Sequence, residues 1–285
     1  MVFVVETTQN LIEIRQNEKA PIAFVPTMGN LHQGHLSLLR EALTKFEVVY
    51  FSIFVNPKQF GPKEDFNKYP RTLDYDLELI KQMDAEFGTK KIIVFAPKNP
   101  EEIYPPGFNH SISVLGEVSN ILEGSIRPGH FDGVATVVHR LFELIKPQQA
   151  YFGLKDYQQF LVIKHMVKDL ALPIEITGMP IIREDSGLAL SSRNQYLSSE
   201  ERIEALTLSK TLLRIEKIIN RNKENLSKAQ EEIINILNDK KWNYLEIRDA
   251  YTLNKDLSQS KHLTLLAVYQ LGSTRLLDNL QVTIS

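Results

Sequence analysis

The run "IAFVPTMGNLHQGHLSLL" (Ile22–Leu39) places four apolar residues, a glycine-bearing stretch with two histidines, and leucines at helical spacing in direct succession. The apolar start, with Pro21 before it, predicts a strand over "PIAFV", and Leu36, Leu39 and Leu43 predict a helix over "GHLSLLREALTKF". "PTMGNLHQG" is then the loop at the carboxyl end of the strand, and His35 opens the helix. In open α/β sheets ligands bind outside these strand ends. A helix N-terminus adds unpaired N–H groups and a positive dipole end, both suited to phosphate. Gly29 and Gly34 let a backbone approach a ligand closely, and an imidazole can donate to a phosphate oxygen. H-x-G-H alone fits a surface turn equally well; the strand–loop–helix setting favours a nucleotide site.

Outward from this stretch the same alternation continues. "EVVYFSIFV" (Glu47–Val55), "KIIVFAP", "QAYFG" and "PIEITGMPIIR" read as strands, with "TLDYDLELIKQM", "GVATVVHRLFELIK" and "DYQQFLVIKHMVKDL" as the helices between them. Thr72 is the expected N-cap of the first of these helices. Strands with little polar alternation are buried on both faces, which predicts a Rossmann-like, doubly wound parallel α/β sheet. After about residue 177 the pattern changes to charged amphipathic helices and strands separated by turns, such as "WNYLEIRDA" and "TRLLDNLQVTI". The expected division is 1–177 for nucleotide and acid binding and 178–285 for a smaller α+β domain.

The chain has 285 residues, 43% hydrophobic and 24% charged, with net charge −2. That balance builds a core and argues against nucleic-acid partners. No cysteine is present, which rules out disulfides and thiolate chemistry and fits a reducing cytoplasm. The N-terminus lacks the basic flank of a targeting segment, and no apolar run reaches the ~18 residues of a membrane helix. A soluble, cytoplasmic protein without a membrane partner is expected.

The H-x-G-H stretch resembles the signature of the nucleotidyltransferase superfamily. "SIFVNPKQF" (Ser52–Phe60), "EDFNKYPRT" (Glu64–Thr72), "LEGSIRPGHFDGVATVV" (Leu122–Val138), "FGLKDYQQ" (Phe152–Gln159), "GLALSSRNQYL" (Gly187–Leu197) and "LGSTRLLDN" narrow the resemblance to the pantothenate synthetase family over nearly the whole chain. The resemblance implies an ATP-dependent ligase. It would join (R)-pantoate to β-alanine through a pantoyl-adenylate, release AMP and pyrophosphate, use Mg²⁺ and form a homodimer.

Carried over residue by residue, the resemblance implies ATP contacts from Met28, Gly29, Asn30, Leu31, His32, Gln33, Gly34 and His35. It adds Gly153, Leu154, Lys155 and Asp156, then Ile182, Leu190, Ser191, Ser192 and Arg193. His32, His35, Lys155, Ser192 and Arg193 are the expected catalytic groups, stabilising charge that develops on the phosphates. Leu154 departs from the family's G-E-K-D pattern. Gln59 and Gln159 are expected to read pantoate, with Asn56, Arg127 and His130 beside them. Asp76 is the carboxylate nominated for the metal. His110, His139, His165 and His262 carry no motif. The alternatives are another H-x-G-H nucleotidyltransferase, such as a phosphopantetheine adenylyltransferase, or a nucleotide sensor without catalysis.

Overall fold

The computed structural model describes every residue except Lys63, Asp65, Thr89 and Ser285. Asp65, part of one quoted motif, therefore lies outside the described residues. The chain forms two compact units, Met1–Leu154 with Gln158–Pro180, and Lys155–Tyr157 with Ile181–Ser285.

The first unit runs β1 (Val2–Val5), α1 (Thr8–Asn17), β2 (Ile22–Thr27), α2 (Gln33–Lys45), β3 (Val48–Ile53), α3 (Leu73–Phe87) and β4 (Lys91–Phe95). It continues with α4 (Glu117–Asn120), α5 (Glu123–Ile126), α6 (His130–Ile145), β5 (Gln149–Gly153), α7 (Tyr157–Asp169) and β6 (Glu175–Met179). The six strands form one sheet in the order β1-β4-β3-β2-β5-β6, every pair parallel. Ala23 and Val25 pack with Leu39, Ala42 and Leu43 of α2 and Ile80 and Met83 of α3. Phe24 meets Phe142 of α6 edge-on, the ring centres 6.2 Å apart. Both faces of β2 are therefore covered, which is why its sequence shows no alternation.

β2 lies between β3 and β5. The chain builds outward from β2 on one side and then returns to place β5 on the other. The carboxyl ends of β2 and β5 thus flank the switch point where doubly wound sheets bind ligands. The H-x-G-H loop leaves the first end, and Gly153 closes the second.

The second unit packs α8 (Ser199–Ile219) and α9 (Leu226–Ile236) with an antiparallel sheet of β7 (Trp242–Asp249), β8 (His262–Leu271) and β9 (Thr274–Thr283). Leu208, Leu212 and Ile215 of α8 share a core with Leu245, Leu263, Leu265 and Ala267. Ser198 and Glu201 close a reciprocal capping box at the start of α8. Among the described residues no helix is long and apolar enough to cross a membrane.

Several sequence expectations shift. β1 and α1 were not anticipated: β1 is a short edge strand with Phe3 and Val4 exposed, and α1 buries only Leu11. The strand expected over "PIEITGMPIIR" ends at Met179, before Pro180, which has no N–H to donate to a ladder. The expected boundary at 177/178 falls inside β6. Lys155–Tyr157 belong to the second unit, tied there by Asn279 Nδ2 donating to Lys155 O (2.8 Å) and Tyr157 OH donating to Ala250 O (2.7 Å).

Gly133 shows how closely α6 is set against the 3-10 turn Pro57–Gln59. A Cβ there would lie 2.2 Å from Lys58 O and 2.7 Å from Gln59 Cα. Gly133→Ala must push backbone apart, so it should destabilise the protein by about 1–3 kcal/mol. A urea melt checks this; an unchanged midpoint would mean that the two backbones separate without strain.

Candidate active site

The loop after β2 is held by a carboxylate. Gly29 (φ +81°) and Asn30 (φ +51°) both take left-handed backbone, which turns the N–H groups of Asn30 and Leu31 towards α3. Asp76, on the first turn of α3, receives both: Asn30 N–H at 3.0 Å on Oδ2 and Leu31 N–H at 2.8 Å on Oδ1. Thr72 holds the N-cap place of α3 but makes no cap bond; its hydroxyl donates to the same carboxylate at 3.2 Å. A Cβ at Gly29 would stand 3.0 Å from Asp76 Oδ2, a tight contact that adds to the preference for glycine set by φ.

Asp76, nominated for a metal, is fully buried, with each oxygen accepting a loop amide. Burial pushes its pKa up, and the three donors act in the opposite direction. The amides of Asn30 and Leu31 are likewise spent on Asp76 rather than directed at a ligand. Among the described residues no group of three or more His, Asp or Glu could hold a metal ion.

His32 is the N-cap of α2, and His35, expected to open the helix, sits at its third position. Gly34 N–H donates to His32 Nδ1 at 3.1 Å, and His32 N–H donates to His35 Nδ1 at 3.4 Å. The rings lie 4.1 Å apart. A nitrogen that accepts from an amide carries no proton, so this network assigns the neutral tautomer of both rings as Nε2–H. The H-x-G-H spacing thus caps the helix and puts the ring proton of both imidazoles on Nε2, the form in which that nitrogen can donate to a phosphate oxygen. Gln33 between them is exposed.

Gln59 is oriented by a chain of hydrogen bonds. Tyr104, kept as a donor because burial raises its pKa, donates to Asn56 Oδ1 at 2.8 Å. Lys58 N–H donates to the same oxygen. Asn56 Nδ2 must then donate, and it does so to Gln59 Oε1 and to Gly133 O, both at 3.1 Å. Gln59 is left with its amide nitrogen as the outgoing group, 3.1 Å from Met28 Sδ. It is set as a donor, suited to carboxylate or hydroxyl oxygens. Tyr104 carried no signal in the sequence.

Arg127 and His130, expected beside the acid substrate, are bonded to neighbouring protein groups. Arg127 pairs with both oxygens of Glu64 at 2.7 Å. His130 holds Gln59 O through Nδ1 at 2.8 Å, and its Nε2 lies 3.0 Å from Arg127 Nη1. Arg127 can only donate and Gln59 O can only accept, so His130 is the neutral Nδ1–H tautomer. Burial, with the Arg127 charge, pushes its pKa down to about 4. For Glu64 burial acts upward, but the Arg127 bond and charge hold its pKa below the usual range.

At the end of β5, a Cβ on Gly153 would meet nothing within 4 Å, which leaves open space at the switch point. Leu154 packs over Gly178 of β6, its Cδ2 2.5 Å from where a Cβ would stand. On α7 the two glutamines of "DYQQ" separate. Gln158 is buried and tied to Glu123 N–H, Val118 O and Ile121 O, while Gln159 is partly exposed.

In the second unit, Lys155 Nζ lies 3.3 Å from Asp156 Oδ1. Ile182 and Leu190 pair across a hairpin through Leu190 N–H to Ile182 O at 2.9 Å, with Arg183 bridged to Ala189 and Gly187 at the turn. Ser191 accepts from Arg193 N–H at 3.3 Å and caps the 3-10 turn Ser192–Tyr196. Buried Asn194 bonds Ala189 O and so ties that turn to the hairpin.

A family model described as pantoate-beta-alanine ligase matches residues 3–281. The pantothenate synthetase of Aquifex aeolicus is 43% identical over 282 residues, 98% of this chain and 97% of that protein. That of Carboxydothermus hydrogenoformans is 47% identical over 269 residues, 93% and 92% of the two chains. Among solved structures, the Thermus thermophilus pantothenate synthetase superposes with a TM-score of 0.87 at 42% identity, covering 98% of this chain and 99% of that one. The Francisella tularensis pantoate-beta-alanine ligase, complexed with beta-gamma ATP and beta-alanine, gives 0.75 at 35% identity, covering 98% and 97%.

Two outcomes follow from these contacts. Asp76→Asn turns one acceptor into a donor facing a loop amide. It should cost about 1–3 kcal/mol of stability while leaving the magnesium concentration for half-maximal activity unchanged; a shifted magnesium dependence would restore Asp76 as a ligand. His130 has a folded pKa below its ordinary 6.5. Between about pH 6.5 and 4 the unfolded chain therefore takes up a proton that the folded one refuses, and stability falls as pH falls through that window. His130→Gln should flatten that fall in urea melts run at about pH 7 and about pH 4.5; an equal fall in both proteins would count against it.

Proposed function

The chain belongs to the pantoate–β-alanine ligase family, an ATP-dependent ligase joining pantoate to β-alanine, and we propose that it does so through a pantoyl-adenylate. The observation that carries this reading is the tautomer lock on His32 and His35. It supports two Nε2 donors at the switch point, beside an outgoing amide donor on Gln59.

Both substrates of the first step are anions, so the site must supply donors and positive charge. The pantoate carboxylate attacks the α-phosphorus of ATP, and the bond to the β-phosphate oxygen breaks. His32 and His35 donate to oxygens on which charge develops. The family resemblance gives Lys155, Ser192 and Arg193 a phosphate-directed role as well, with Ser191 and the Ile182–Leu190 hairpin shaping their own segment. Gln59 and Gln159 hold the acid. The amine of β-alanine then attacks the acyl carbon, the bond to the phosphate oxygen breaks, and AMP leaves with one former carboxylate oxygen. A proton is lost to solvent.

Among the described residues no group of three or more His, Asp or Glu could hold a metal ion. Mg²⁺ would therefore be carried by the triphosphate, where it would neutralise phosphate charge. Use of ATP points to the cytoplasm, and a homodimer rests on the family alone. Small-molecule substrates are the partners; neither nucleic acid nor membrane enters this reading.

The test needs no amine. Enzyme with ATP, magnesium and pantoate should release about one pyrophosphate per site, the intermediate staying bound. In the complete reaction, ¹⁸O from labelled pantoate carboxylate should appear in AMP. ADP as product, or label in inorganic phosphate, would indicate an acyl phosphate instead and overturn the adenylate.

A further inference from the structure

The motif "LGSTRLLDN" has no part in the chemistry above, yet its residues Asp278 and Asn279 are buried polar groups on β9. Asp278 binds Arg183 through both oxygens, at 2.6 and 2.9 Å, and accepts the Asn279 N–H at 2.8 Å. Arg183 in turn donates to Gly187 O at the hairpin turn. Asn279 is only 2% exposed, and its Nδ2 donates to Lys155 O at 2.8 Å across 124 residues of sequence. Its Oδ1 lies 3.4 Å from Gln281 Nε2, which fixes the amide with its nitrogen towards Lys155. Successive side chains leave opposite faces of a strand. One strand can therefore hold the Ile182–Leu190 hairpin through Asp278 and the Lys155 segment through Asn279.

We propose that Asn279 is a positioning residue for Lys155: by fixing the Lys155 carbonyl it fixes the root of the side chain and the place its ammonium can reach. A lysine carries its charge on a flexible four-carbon stem, so aiming depends on the backbone it leaves from. Lys155 follows β5 in sequence but belongs to the second unit, and the Asn279 bond ties its carbonyl there. The ammonium and the Ser191–Arg193 segment are thereby carried on one scaffold. The inference rests on the proposed contact of Lys155 with ATP and deepens it.

A double-mutant cycle on kcat/KM for ATP tests it. Asn279→Ala and Lys155→Met should each lower kcat/KM, by up to about 10²-fold for a misplaced group. The double variant should be no worse than Lys155→Met, because the misplaced group is then already gone. The KM for pantoate should stay near that of the unaltered enzyme in Asn279→Ala, and Asn279→Leu, which refills the volume without a donor, should behave like Asn279→Ala even if one of the two folds poorly. Effects of Asn279→Ala and Lys155→Met that multiply, or activity unaltered in both Asn279 variants, overturn the proposal while leaving Lys155 in place. A Lys155→Met enzyme with normal kcat/KM for ATP removes the contact of Lys155 with ATP, and this inference with it.

Discussion

The bond on which the first unit's site depends is the one from Asp76 to the backbone of the loop after β2. That loop must reverse direction between a buried strand and a helix within a few residues, and it does so with two successive left-handed residues, Gly29 and Asn30. Such a turn points adjacent amides the same way, and inside a protein those amides need an acceptor. A neutral side chain offers one oxygen; the carboxylate of Asp76 offers two, and Thr72 adds a donor to steady it. The cost of burying the charge is reduced because every bond to it is charge-assisted. With the loop fixed, His32 falls at the cap of α2 and His35 three residues on, and both imidazoles take the same tautomer.

The surroundings of Gln59 follow a different logic with the same outcome. Gln59 is held twice, its carbonyl by His130 and its side-chain oxygen by Asn56. Neither holder needs to touch substrate. Each removes an alternative: His130 stops the 3-10 turn from shifting, and Asn56 stops the Gln59 amide from flipping. Tyr104 sets the direction of the whole chain, since a phenol whose pKa is raised by burial stays a donor over the working range. Orienting the site in advance spares the ordering cost when substrate binds.

The sequence displayed the parts whose physics is local. β2, β3 and β5 were legible because they are buried on both faces, and α2 because its leucines repeat at helical spacing. α1 was not, because a helix that buries one leucine leaves no stripe to read. The H-x-G-H histidines were legible as a pair, but their tautomers required knowing which amides point at Nδ1. Asp76 was visible only as an acid on a helix, and an acid on a helix suggests a cation until its partners 45 and 46 residues away are known. Gln158 and Gln159 are identical in type and adjacent, and only packing separates the one that ties a loop from the one left partly exposed. Asp278 and Asn279 stood inside a quoted motif whose work is done at long range.

Leu154 departs from the family's G-E-K-D pattern, and its environment bears on whether catalysis survives the change. The side chain lies over Gly178, a position where any Cβ would collide with it, so the apolar residue has a packing partner built for it on the neighbouring strand. A glutamate there would place a negative charge one residue from Lys155, with Asp156 already 3.3 Å from the ammonium. Both acids would oppose the approach of a triphosphate through like charge. Replacing one by leucine reduces that opposition and leaves the lysine, its carbonyl anchor on Asn279 and the open space at Gly153 as they are. The change is thus compatible with a working phosphate site, and it weighs against the sensor alternative, for which Leu154 was the only hint in the sequence.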